Sequence, residues 1–171
     1  TDFVYTGSRS LAFGTPGALG RILDAEAWLG LADRSSTNPL FTPEAYVAAD
    51  TLSEEANFVL CRLQDLSNGL IARAKADPAC VLVLRTDNAH ALAEIRRAFV
   101  ELVDRGCAAP VVIRREYPES EVDSVLLQAA TDVGGLLIDG LGDGIWLESA
   151  DRDTEALNRI SFGILQAART R

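Results

Sequence analysis

The sequence predicts an α/β fold: a parallel sheet of repeated βα units, forming a small or incomplete TIM-barrel-like domain. Three observations carry this. Short apolar runs without polar alternation, at Phe58–Leu63, Val81–Arg85, Pro110–Arg115 and Leu136–Ile138, suit strands covered on both faces. Turns and segments of helical spacing follow these runs, and the unit recurs about every 25 to 30 residues, the rhythm of βαβ crossovers. The chain of 171 residues is one domain's worth, whereas a complete eightfold barrel usually needs more than about 200 residues.

Taken in order, Phe3–Thr6 reads as a β-type run, followed by a Gly/Ser/Pro-rich loop over 7–17 and a second extended run, Arg21–Asp24. Glu26–Leu31 makes a single helical turn anchored by Trp28, and no period holds from Ala32 to Ser53, so residues 1–57 carry no repeat. After the Phe58–Leu63 strand, Asp65 or Ser67 caps a helix that Asp77-Pro78 stops. The helix from Ala89 places Leu92, Ile95, Phe99, Leu102 and Val103 on one stripe and ends at Gly106. The helix beginning at Ser120, with Asp123 three residues on, buries Val122, Val125, Leu126 and Ala129. A final helix over 154–168 buries Leu157, Ile160, Ile164 and Leu165.

Composition excludes several classes. With a net charge of −9 the chain lacks the basic face that nucleic acid requires, and anionic membranes repel it. No apolar stretch approaches the length of a membrane span, and no signal peptide is present, so a cytoplasmic location is expected. The cysteines, at 61, 80 and 107, are odd in number and lack C-x-x-C spacing, and His90 is the sole histidine. That predicts reduced, buried thiols and no metal site. The absence of methionine and a start at Thr1 predict a fragment of a longer protein.

Candidate chemistry centres on Gly134–Ser149, GGLLIDGLGDGIWLES, read as strand, turn and strand. The turn would lie at a strand's carboxyl end, where α/β proteins place ligand loops. Asp139 and Asp143 there either hold Mg²⁺, act as an acid/base pair, or hydrogen-bond their own turn. Arg85 and Asp87 follow one strand and Arg115 ends the next, barrel-top positions suited to a small anion or to solvated loop charge. Without a serine or cysteine beside a histidine, nucleophilic catalysis of the triad type has no candidate.

The combination VLVLRTDN, AEIRRAF, RGCAAPVVIRREY, GGLLIDGLGDGIWL and ISFGILQAARTR, in this order, resembles 4-hydroxy-3-methylbut-2-enyl diphosphate synthase. The form resembled is the long, three-domain one of plants and of Bacteroidetes- and Chlamydia-type bacteria, so a bacterial source is one expectation. The likeness is strong over Phe58–Arg171 and weak over Thr1–Asn57.

The resemblance implies a middle, barrel-like insert domain, a spacer between a substrate-binding TIM barrel and a domain holding a [4Fe–4S] cluster. It further implies that the parent reductively converts 2-C-methyl-D-erythritol 2,4-cyclodiphosphate, in isoprenoid biosynthesis by the non-mevalonate pathway, with electrons from ferredoxin or flavodoxin. The cluster-ligating motif is absent from this chain, which is expected to be inactive by itself and to carry no cofactor. Asp139 matches the acid of the family's EGIGDTIR motif, while Gly144 stands for its Thr and Trp146 for its Arg. That loss of a cation implies no diphosphate binding at Asp139–Trp146. The competing expectation is an autonomous α/β domain binding a small anion or a metal through Arg85, Asp87, Arg115, Asp139 and Asp143.

Overall fold

The computed structural model describes residues 2–9, 11, 17, 19–88, 90–118, 121–149 and 154–169. Among the described residues seven strands form one sheet: β1 (Phe3–Gly7), β2 (Gly20–Asp24), β3 (Thr37–Phe41), β4 (Asn57–Cys61), β5 (Cys80–Arg85), β6 (Val111–Tyr117) and β7 (Gly144–Ser149). Their spatial order is their chain order, and every neighbouring pair is parallel. The sheet curls until Tyr5 on β1 meets Trp146 on β7, ring centroids 5.1 Å apart, although no ladder joins those two edges among the described residues. The result is the expected incomplete barrel.

Helices α1 (Ala25–Leu29), α2 (Pro43–Ala48), α3 (Asn68–Ala76), α4 (Ala91–Asp104), α5 (Val122–Ala129), α6 (Gly135–Ile138) and α7 (Thr154–Arg169) lie among and after the strands. Local chemistry sets their ends. The Ser67 hydroxyl accepts from the Leu70 amide and so caps α3, while the Asp65 carboxylate accepts from the Arg62 amide ahead of it. Gly106, at φ +63°, lets the chain leave α4.

Alternation along the strands separates two apolar layers. Val59, Leu82, Leu84, Val111 and Ile113 face outward against Leu70, Ile95, Ala98, Phe99 and Leu102 of the helices. Ile22, Phe58 and Val83 face inward with Leu40, Leu60, Val81, Val112 and Trp146, forming a small core made almost wholly of strand side chains. A buried polar knot ties α2, β4 and the turn before β5 together: the Tyr46 hydroxyl and the Asn57 amide both donate to Asp77 Oδ2, at 2.7 and 3.0 Å.

The structure corrects the sequence reading at several points. Leu136–Ile138 is helical, not a strand. Helix α5 runs through a π-helical turn, Ala130–Gly134, into α6, and the strand paired with β6 is β7. An unalternated apolar run of that length fits a buried helical segment as well as a strand. The runs read at Phe3–Thr6 and Arg21–Asp24 and the turn at Glu26–Leu31 are β1, β2 and α1, but the stretch read as without period, Ala32–Ser53, holds β3, whose pattern Asn38 and Pro39 hide, and α2. Val122 and Leu126 on α5 and Val103 on α4 are exposed, because each helix buries a narrower stripe than its apolar content suggests. The proposed cap at Ser120 and the start of α4 at Ala89 fall outside the described residues.

Candidate functional site

The five candidate residues do not form one site. Asp143 immediately precedes β7, and its amide donates to the Val111 carbonyl at 2.7 Å while its Oδ2 accepts from the Val111 amide at 2.8 Å. Those bonds hold it against the first residue of β6, so the Gly140–Asp143 turn lies at the amino ends of the strands. The expected placement at a carboxyl end is therefore wrong, and for one reason: the segment before the turn is a helix running opposite to the strands. Asp139 is ion-paired with Arg96 of α4. Gly142 has φ +102°, and a Cβ there would stand 2.9 Å from Ile113 Cδ1, so this turn is shaped to close on β6.

Arg85, Asp87 and Arg115 do lie at the carboxyl ends, with Arg85 on the inner face and Arg115 on the outer, while Asp87 in the turn after β5 borders the cleft beside Arg115. Arg115 belongs to the outward layer, where its Nε and Nη2 donate to Asp132 Oδ2 at 3.1 and 3.0 Å and its Nη1 donates to the Thr86 carbonyl at 2.8 Å. The Tyr117 hydroxyl reaches the same Asp132 oxygen at 3.4 Å, and burial, followed by the charge of Asp132, pushes that phenol above its ordinary pKa. These residues, with Thr86, Asp87 and Asn88, line an open cleft of about 740 Å³. Asp132 enters it from the π-helical turn, a residue the sequence reading passed over because only tertiary packing brings it to Arg115. Arg115 spends its donors on protein acceptors, so it clamps the π-helical turn after α5 to the sheet and is not poised for a ligand.

On the inner face, Arg114 makes a bidentate pair with Glu148, both contacts 3.0 Å, and lies over the Trp146 ring at 5.3 Å. The Tyr5 hydroxyl donates to Asp24 at 2.6 Å, and burial with that partner raises its pKa to about 12. Asp87 accepts from Arg62 at 2.6 Å, and His90 is exposed. Among the described residues no group of His, Cys, Asp or Glu is placed to hold a metal ion.

The three cysteines do not fit an iron–sulfur cluster. Each is packed in the apolar layer between sheet and helices, and burial pushes the Cys61 thiol to about 12 and the Cys80 thiol to about 11. Cluster ligation requires thiolates. No helix of the described residues is long and apolar enough to cross a membrane.

Fold and site together define a parallel βα domain of incomplete-barrel type, whose charged residues at both strand ends chiefly brace the structure. The chain is 31% identical over 170 residues to a Parabacteroides distasonis protein named 4-hydroxy-3-methylbut-2-en-1-yl diphosphate synthase (flavodoxin), covering 99% of this chain and 27% of that protein. A Bacteroides thetaiotaomicron protein of the same name is 32% identical over 171 residues, again 99% and 27%. An Oryza sativa subsp. japonica protein named 4-hydroxy-3-methylbut-2-en-1-yl diphosphate synthase (ferredoxin), chloroplastic, is 42% identical over 88 residues, 51% of this chain and 11% of the relative. No family model and no solved structure matches the chain.

The chain belongs to the 4-hydroxy-3-methylbut-2-en-1-yl diphosphate synthase family, and it spans about 27% of the length of the bacterial relatives it matches. Those alignments extend through residues 1–57.

Proposed function

We propose that this chain is the middle, barrel-like insert of a long-form synthase, a spacer that fixes distance and orientation between a substrate-binding barrel and a cluster-bearing domain. The observation that carries this reading is full-length homology to a quarter-length segment of named synthases. Two features support a bracing role. The acids of the glycine-rich turn are committed to Val111 and Arg96, and the cysteines are buried as thiols. The parent would reductively open the cyclic diphosphate with electrons from flavodoxin or ferredoxin, the carriers in its relatives' names, and its cluster ligands would lie outside this chain.

Titrating the cyclic diphosphate, with and without Mg²⁺, should leave the NMR signals of Asp139 and Asp143 unmoved. In the full-length enzyme, Asp139→Asn should keep kcat/KM within about twofold. A saturable shift at either aspartate, or a loss of about tenfold or more in kcat/KM, would show that the turn works in catalysis and refute the spacer reading.

A further inference from the structure

A row of three arginines crosses the inner face at the carboxyl ends of β4, β5 and β6. The ladder pairs Cys61 with Leu84 and Arg85 with Arg114. Arg62 continues β4 in extended conformation, φ −107° and ψ 169°, and so comes level with Arg85 one residue further on. Leu60, Val83 and Val112, each two residues earlier, belong to the inward core, so alternation sets Arg62, Arg85 and Arg114 on that same face. With strands about 4.8 Å apart, the three side chains start within about 10 Å of one another.

Like charges side by side on a sheet repel, and the protein offsets them unevenly. Glu148 takes Arg114 bidentately and Asp87 takes Arg62. Arg85, half-buried between them, has no carboxylate within ion-pair distance and no hydrogen-bond acceptor among the described residues. Arg62 Nε is also buried without an acceptor. Partly buried guanidinium groups normally find acceptors, and here the neighbouring protein leaves places open at adjacent positions. Arg114, gripped by Glu148 and stacked on Trp146, is fixed in orientation before anything binds. Glu116 stands two residues further along β6 than Arg114, on the same face by alternation, and is exposed at the rim beyond the row.

We propose that Arg62, Arg85 and Arg114 form a binding site for a small oxyanion of phosphate type, with Arg85 as its principal ligand. The planar fork of Arg85 presents paired donors matched to phosphate oxygens, and the anion would supply the charge that no side chain provides. Occupancy is compatible with the spacer role, since the site lies at the opposite end of the strands from Asp139 and Asp143.

The test is calorimetric titration of the 171-residue chain with inorganic phosphate and, separately, pyrophosphate, at ionic strength held constant with sodium chloride. The Nε–Hε NMR signals of the arginines are followed in parallel. Saturable binding is expected, with shifts at Arg62, Arg85 and Arg114. Arg85→Gln should weaken binding about tenfold or more, while Arg97→Gln, on the exposed face of α4, should not change it. Asp87→Asn, which frees Arg62, should tighten it and provides a readout that does not depend on how Arg85→Gln folds. Absence of saturable heat, or affinity unchanged in both Arg85→Gln and Asp87→Asn, would overturn the proposal.

Discussion

Arg115→Leu tests whether the clamp between the sheet and the π-helical turn after α5 holds the carboxyl end of the barrel together. The substitution keeps an apolar stem but removes a guanidinium whose side chain is 10% exposed, leaving Asp132, 16% exposed, without its cation. It also strips the Thr86 carbonyl of its donor. Breaking one partner of a buried pair costs about 3 to 5 kcal/mol, because the remaining charge stays desolvated. At roughly 2 to 4 °C per kcal/mol for a chain of this size, the midpoint should fall by about 6 to 20 °C. Urea unfolding followed by circular dichroism measures the loss, together with Asp132→Leu and the double variant. The double variant should recover much of the stability, since an apolar pair carries no unpaired charge. A single-variant loss below about 1 kcal/mol, or a double variant whose loss equals the sum of the singles, would refute the clamp.

Two further outcomes follow from burial. Phe99, 8% exposed in the layer between α4 and the sheet, should cost about 3 to 5 kcal/mol as Phe99→Ala, measured by the same unfolding curves. Cys61 and Cys80, with pKa values raised by burial to about 12 and 11, should resist iodoacetamide in the native state at pH 8 and react on unfolding. Because the folded-state thiol pKa values lie above the unfolded value of about 8.5, the stability they contribute is full below pH 8 or so. It should decline as pH climbs from about 9 toward 11, visible as a falling thermal midpoint that Cys61→Ala and Cys80→Ala make shallower.

The sequence alone determined the α/β class, because an apolar run such as Val81–Leu84 has no polar face to give to water and must be covered on both sides. It placed the helix ends at Ser67, Asp77 and Gly106, where a capping hydroxyl or a tolerated positive φ acts within a few residues. It also marked Arg85, Asp87 and Arg115 as carboxyl-end residues, since a strand's end fixes its polar neighbours. Tertiary structure alone decided the rest. Leu136–Ile138 became helical because α5 continues through a π-helical turn, and that reversal moved Asp139 and Asp143 to the far end of the barrel. The pairing of Arg115 with Asp132, and the alignment of Arg62 with Arg85 and Arg114, depend on strand register and helix docking. Those are set by burial across tens of residues, and no local spacing encodes them.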